Sequence, residues 1–281
     1  MAISGTADVT VIGAGIFGLT CAWECQRRGA RVQVIEREAI GAGSSGGIVG
    51  ALAPHVPENW NAKKAFQLDS LLMAEAFWAD VTNQSRLDPG YARSGRIQPL
   101  PDAAAVAMAQ ARVSGAETYW QGRAVWRVIS TQDDGWMPAV ASGFCIEDTL
   151  SARLHPRQAA AALVAAIRAK GGVVEVGLSE PPAEVFLNRR YAGAVIWATG
   201  VQGLAEVSAD LGKAVGGGVK GQAALLGFDA RDRPQIFADG LHIVPHGDGT
   251  VAIGSTSERE YETAQGTDTR LDALIDRARA V

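Results

Sequence analysis

The sequence predicts an α/β fold: a parallel-sheet domain built on a βαβ unit, with an antiparallel-sheet domain inserted into it. Three observations carry this. The glycine run Gly13-Ala14-Gly15-Ile16-Phe17-Gly18 stands between an apolar β-rich stretch and a helical pattern. The wholly apolar stretch 194–198 suits a parallel strand covered on both faces. Apolar runs at 242–245 and 251–254 flank the turn Gly247-Asp248-Gly249, a hairpin signal.

The elements follow in order. Residues 8–12 read as a strand and 15–28 as a helix whose inward face carries Leu19, Ala22 and Trp23 and which Gly29 stops. Residues 31–35 form a second strand, followed by a Gly/Ser-rich loop over 41–50. The stretch 62–81 is helical, with Phe66, Leu71, Leu72, Ala76 and Phe77 near helical spacing. The middle, 91–151, has no single period and is assigned to the second domain, with a strand at 96–99. Pro156 opens a strong helix to Lys170, ended by Gly171-Gly172 and followed by a strand at 173–176. Gly216–Gly218 reads as a flexible joint, 222–226 as a strand, and 269–280 as an amphipathic helix. The expected domains are 1–85 with 152–212, and 86–151 with 213–265; residues 266–281 start a C-terminal helix.

Bulk properties narrow the function. With 281 residues, 47% hydrophobic and 20% charged, the chain can bury a sizeable core, which excludes disorder. A formal net charge of -4 without a basic patch argues against nucleic acid. The three cysteines, Cys21, Cys25 and Cys145, are an odd number and give no disulfide framework. Cys21 and Cys25 share a helix face, but no Cys/His cluster completes a metal site, and the histidines at 55, 155, 242 and 246 lack metal-ligand spacing. The first eight residues lack a cationic start, and the apolar segment 9–19 is too short and Gly-rich for a signal peptide or membrane span. A cytoplasmic location is the default expectation, and the oligomeric state stays open.

Four motifs carry chemistry. In the Gly13–Gly18 run the first glycine permits the strand-to-helix turn, the second lets backbone approach a pyrophosphate, and the third lets helix and strand pack closely. The helix N-terminus then offers N–H groups and partial positive charge to phosphates. Glu36, at the end of the second strand, can accept hydrogen bonds from both ribose hydroxyls of an adenosine and repels a 2′-phosphate; the alternative is a solvated surface glutamate. Ser44 and Ser45, with the small and apolar residues that follow, suit contacts to a pyrophosphate and a flavin ring; the alternative is a flexible surface linker. A plain nicotinamide enzyme has no need of this loop, so the set points to FAD. Ala198-Thr199-Gly200 sits at the carboxyl end of an apolar strand, where ligands bind in open α/β sheets, or else Thr199 simply caps the next helix.

Together Gly13–Gly18, Glu36-Arg37, Ser44-Ser45 with Gly50-Ala51-Leu52, the Pro156 helix and Ala198-Thr199-Gly200 resemble the D-amino-acid-oxidase-type FAD-dependent oxidoreductases. Val219-Lys220-Gly221-Gln222 and the 242–254 strands are similar to the glycine oxidase and sarcosine oxidase branch. The resemblance implies a Rossmann-type FAD-binding domain with an inserted antiparallel-sheet substrate domain. It implies oxidation of a small amine or amino acid by hydride transfer to flavin N5, with the protein supplying orientation and electrostatics. A dehydrogenase passing electrons to a quinone or protein, and a flavin-deficient relic, are the alternatives.

Three departures qualify the resemblance. His242 stands where such enzymes place a substrate-contacting tyrosine; its imidazole can donate to a carboxylate with a charge that depends on pH, or it is a structural strand residue. The segment 175–192 is short for the β-meander of such folds. Family members continue into a carboxylate-binding arginine and a last Gly-rich turn over the flavin that these residues lack. The resemblance therefore implies a fragment or a shortened protein, with weak FAD binding and poor turnover.

Overall fold

The computed structural model describes residues 7–177 and 193–281, and the chain divides into two compact units. Of the segment 175–192, expected to be short for a β-meander, residues 178–192 lie outside the described residues. The first unit holds residues 1–47, 79–89 and 156–218, and the second holds 48–78, 90–155 and 219–281. The boundaries thus fall at 47/48 and 78/79, inside the span expected to be one FAD-binding segment, at 89/90 and 155/156, four residues beyond the expected ends, and at 218/219, directly after the glycine joint.

The first unit is a four-stranded parallel sheet. Its strands are β1 (Val9–Ile12), β2 (Val32–Glu36), β8 (Val173–Val176) and β9 (Ala194–Trp197), in the order β8-β2-β1-β9. Helix α1 (Ile16–Arg27) joins β1 to β2, and α5 (Pro156–Ala169) precedes β8. Leu19, Ala22 and Trp23 of α1 are buried, as their spacing predicts, with Ala159, Leu163 and Ile167 of α5. The side chain of Gln26 donates to the Ile167 carbonyl (3.1 Å), so this buried amide on α1 has a partner on α5. One expectation fails: β9 is not covered on both faces. It is an edge strand bonded only to β1 among the described residues, and its residues are half-buried or exposed. Helix α6 (Gly200–Leu211) follows it and leaves Val201, Leu204, Val207 and Leu211 exposed.

The second unit is a seven-stranded sheet of β4 (Arg96–Pro99), β5 (Trp126–Ser130), β6 (Phe144–Asp148), β10 (Ala223–Leu226), β11 (Gln235–Ala238), β12 (Leu241–Pro245) and β13 (Val251–Gly254). The order is β10-β13-β12-β11-β4-β6-β5. Five pairings are antiparallel, including the expected β12–β13 hairpin. The central β4–β11 pair is parallel, so the sheet is mixed. Two strand sets from distant parts of the chain meet at that seam. A two-stranded ribbon, β3 (Ala51–Leu52) with β7 (Ala152–Arg153), completes the strands of this unit.

The middle of the chain also contains helices that its pattern did not reveal: α3 (Ala103–Ala111), capped by the Asp102 side chain on the Ala105 N–H (2.8 Å), and α4 (Val113–Trp120). Ala109 of α3 and Ala116 and Trp120 of α4 share a core cluster with Trp126 and Ile146. Alanine-rich α3 has little polar-apolar contrast, and α4 carries Gly115 because a Cβ there would lie 2.0 Å from the Pro57 carbonyl. Helix α2 (Ala62–Ser85) has residues in both units. Of the residues at helical spacing, Phe66 is 76% exposed and Ala76 is exposed too; Leu68, Leu71, Trp78 and Val81 are the buried positions. Helix α7 (Thr269–Arg279) lays Leu274 and Leu271 against Leu241, Ile243 and Ile253. Among the described residues no helix is long and apolar enough to cross a membrane.

Candidate functional site

The carboxyl ends of β1, β2 and β9 converge in the first unit, and most of the sequence-predicted site residues meet there. Gly13 has φ +104°, and a Cβ on it would stand 2.4 Å from the Ala198 carbonyl oxygen. The turn is therefore pressed against Ala198-Thr199. Gly18 is required too, since its Cβ would lie 1.9 Å from the Gly13 carbonyl oxygen. Gly15 caps α1 without a side chain, and the cap comes from the loop: the Ile16 N–H donates to Ser45 Oγ at 2.9 Å.

The Gly/Ser-rich loop is tied down, not a free linker. The Gly41 N–H donates to the Ala14 carbonyl (3.0 Å), and Ser44–Gly46 form a 3₁₀ turn. Arg157 at the start of α5 donates from Nε to the Gly46 carbonyl (2.9 Å). A cavity of about 780 Å³ lies between this loop and α5, lined by Ile40, Ser45, Arg157, Ala161, Val164 and Arg168. It shares Ser45 with the predicted site but not the Gly13–Gly18 turn or Glu36, so it lies beside the dinucleotide-type cradle.

Glu36 is half-buried. Its Oε2 accepts from the Ala14 N–H (2.8 Å) and its Oε1 from the Glu38 N–H (2.9 Å). Each oxygen keeps a lone pair for another donor. Arg37 is engaged on the exposed side with Gln202, Glu38 and Glu206. Thr199 stands at the N-cap position of α6, yet its side chain makes no cap hydrogen bond. Its hydroxyl fills the space above Gly203, where a Cβ would come within 1.8 Å of Oγ1. Phe17, on the first turn of α1, is 80% exposed.

These donors suit an FAD: unpaired amides at a helix N-terminus and serine hydroxyls for phosphates, a carboxylate for vicinal hydroxyls, and a turn with no room for side chains. Gly50, Ala51, Leu52 and His242 belong to the second unit. There Gly50, with φ +63°, accepts from the Leu154 N–H (2.9 Å), and Ala51 and Leu52 pair with β7.

His242 pairs across the sheet with Phe237 and with Gly254. A Cβ on Gly254 would lie 2.5 Å from Val49, so the segment after the loop crosses this face of the sheet. The rings of Phe237 and His242 are 4.6 Å apart. His242 Nδ1 is buried and has no hydrogen-bond partner. Burial, and next the positive charge of Arg96, push its pKa below the usual histidine value, so the imidazole stays neutral near pH 7. The pH-dependent charge expected from sequence is thereby moved to acid pH.

Sequence reading did not single out Arg96, Asp148 or Phe237. Arg96 Nε donates to Asp148 Oδ2 (2.9 Å), and its guanidinium carbon lies 5.7 Å from the Phe237 ring centre. An arginine and an aspartate inside predicted or apolar strands are the signal that was available. Among the described residues no group of three or more His, Cys, Asp and Glu is arranged to hold a metal.

Known proteins share the fold and the family. The tRNA 5-methylaminomethyl-2-thiouridine biosynthesis bifunctional protein MnmC of Psychrobacter sp. (strain PRwf-1) is 32% identical over 80 residues, 28% of this chain and 11% of that protein. The aligned part thus spans about a tenth of the curated relatives it matches. Glycine oxidase from Geobacillus kaustophilus shares the fold with a TM-score of 0.76 at 19% identity, over 98% of this chain and 78% of that one. L-proline dehydrogenase from P. horikoshii does so with a TM-score of 0.71 at 16% identity, over 98% and 76%. The family model for FAD dependent oxidoreductases matches residues 8–281, and the chain belongs to that FAD-dependent family.

Proposed function

We propose that this chain oxidises a small amine or amino acid with FAD held by the first unit. The observation that carries the reading is the Gly13 turn pressed on Ala198, with Glu36 and Ser45 fixed at either side of it. In this reading the N–H groups at the start of α1 and the hydroxyls of Ser44 and Ser45 hold the pyrophosphate. Glu36 accepts from the ribose hydroxyls, and Gly50-Ala51-Leu52 and Ala198-Thr199-Gly200 lie along the rest of the cofactor. Bound flavin supplies the two-electron acceptor that protein side chains lack.

His242 is the residue of the second unit that orients substrate. It is neutral, half-buried, and has Nδ1 free to make a hydrogen bond. A neutral imidazole can hold a substrate amine or carboxylate without charging the site. The second unit is the substrate domain and the first the FAD domain.

The test is the absorbance spectrum of the purified chain, followed by turnover of glycine, sarcosine, L-proline and a panel of D-amino acids. Oxygen and an artificial dye serve in turn as acceptor, because the fold is shared with an L-proline dehydrogenase as well as with glycine oxidase. Flavin bound, with substrate-dependent bleaching, is the expected result. Flavin bound with no bleaching by any amine removes the reading.

A further inference from the structure

The geometry points to a two-thiol site for a soft monovalent ion, Cu(I), formed by Cys21 and Cys25 on the outer flank of helix α1. The site is separate from the proposed oxidation chemistry and stands or falls without it.

Helical geometry brings the two side chains together. They stand four residues apart inside α1, a spacing that puts Cβ atoms about 5–6 Å from each other. That is beyond the roughly 3.5–4.5 Å that a disulfide needs, and both cysteines are free. Two sulfurs on such stems can still close on one ion held between them. The pair is also reachable. The core stripe of α1 is Gly18, Leu19, Ala22, Trp23 and Gln26, and Cys21 and Cys25 lie off it, each half-buried. A core role, the usual one for a free cysteine, falls to Cys145, which is fully buried in β6.

The surroundings narrow the ion. Among the described residues no third His, Cys, Asp or Glu completes a metal-holding group around the pair. Zn(II) takes four ligands in a structural site, and Ca(II) and Mg(II) take oxygen. The nearest carboxylate, Glu24, is already engaged by Arg27 and Arg28 (2.9 Å each). Cu(I) is soft, selects thiolate and needs only two sulfurs. Burial, and next the neighbouring Cys21, push the Cys25 pKa up, so Cys25 is a thiol at neutral pH and a poor nucleophile. A coordinating ion removes that proton outright. Binding joins one Cu(I) to two sulfurs, breaks two S–H bonds and releases two protons to solvent. No electron moves, and the complex carries one negative charge. Of the charges beside Cys25, Arg28 favours that anion and Glu24 opposes it.

The test uses the purified protein without oxygen, with Cu(I) supplied as its coloured bicinchoninate complex. Loss of colour reports the ion taken up, and iodoacetamide labelling counted by intact mass reports which thiols it covers. The wild type is expected to take one Cu(I) per chain and to protect two thiols at once. Cys21→Ser and Cys25→Ser are mild changes at half-buried positions. Each should weaken binding by about a hundredfold or more, because the second sulfur is lost. Cys145→Ser should leave binding unchanged. A wild type that cannot draw Cu(I) from the competitor, or whose ion covers a single thiol, overturns the inference without any variant. So does full binding in Cys21→Ser or Cys25→Ser, or its loss in Cys145→Ser.

Discussion

The Nε2 atom of His246 lies 2.8 Å from the carbonyl oxygen of Ile48, joining the β12–β13 turn to the segment that follows the glycine-rich loop. His246 is fully buried, its ring is 4.7 Å from that of His155, and His155 Nε2 is 3.7 Å from Asp248. The contact fixes the chain entering Gly50-Ala51-Leu52 from within its own unit.

Removing that contact should be costly. His246→Ala deletes a buried ring and strands the Ile48 carbonyl, so stability should fall by about 2–4 kcal/mol. Denaturant unfolding measures it; a loss within about 0.5 kcal/mol, typical of surface sites, would contradict the packing role.

The same residue makes stability depend on pH. Burial holds its pKa below the ordinary 6.5; His155 and Arg153 lower it further, against the Ile48 bond and Asp248. Burial shifts His242 in the same direction. The fold keeps both rings neutral while the unfolded chain takes up protons near 6.5. Their stabilisation is therefore complete above that pH and is lost as pH falls from there through the folded values. Melting temperatures followed downward from neutral pH should decline, and less steeply in His246→Asn. An equal slope in the variant would remove His246 from the acid loss and leave it to His242 and the carboxylates.

At the turn, Gly15→Val should expel Ser45. A Cβ at Gly15 already stands 3.1 Å from Ser45 Oγ, and the added methyl groups need that space. The Ile16 N–H loses its cap, worth about 1 kcal/mol, and the site loses its hydroxyl. FAD copurifying at wild-type occupancy would remove this turn from the cofactor site.

Glu36→Ala removes the acceptor for the ribose and for the Ala14 and Glu38 amides. FAD affinity should fall by about one to three powers of ten. Equilibrium dialysis reads it directly, and an unchanged dissociation constant returns Glu36 to a backbone-bracing role.

Gln222 braces the C-terminal helix of the second unit. Its amide donates to Glu258 (2.9 Å) and Asp268 (2.8 Å), and its carbonyl accepts from the Asp268 N–H (2.8 Å). Gln222→Leu should leave the Asp268 N–H without its acceptor and take one donor from Glu258, which keeps Thr256 and Arg270, and cost about 1–3 kcal/mol. Faster amide hydrogen exchange in Thr269–Arg279 than in β12 would accompany it; uniform exchange would argue against a local brace.

Much of the first unit was legible because short-range rules govern it. Gly13, Gly15 and Gly18 mark a turn whose sterics lie within the motif or on Ala198, and Pro156 and Gly171-Gly172 bracket α5. In the second unit the decisive contacts join residues far apart in sequence. Nothing local to Arg96 reveals Asp148 or Phe237, and nothing near Gly115 reveals the Pro57 carbonyl. Phe66 misled because spacing gives a stripe but not which element covers it. The apolar run of β9 misled because it does not show whether other elements cover the strand's faces.

The parallel seam between β4 and β11 has a consequence for how the chain is made. Arg96 and Ile97 leave the ribosome long before Gln235 and Ile236, their partners. In the other unit β1 waits for β9 in the same way. Until those late strands emerge, β4 and β1 each present a bare edge, the kind of surface that captures other nascent chains. Pairing at such long range is also slow once it can begin. Production of this protein should therefore be limited by the speed of translation relative to closure, and holding chaperones or lowered temperature should raise the soluble yield more than any gain in final stability.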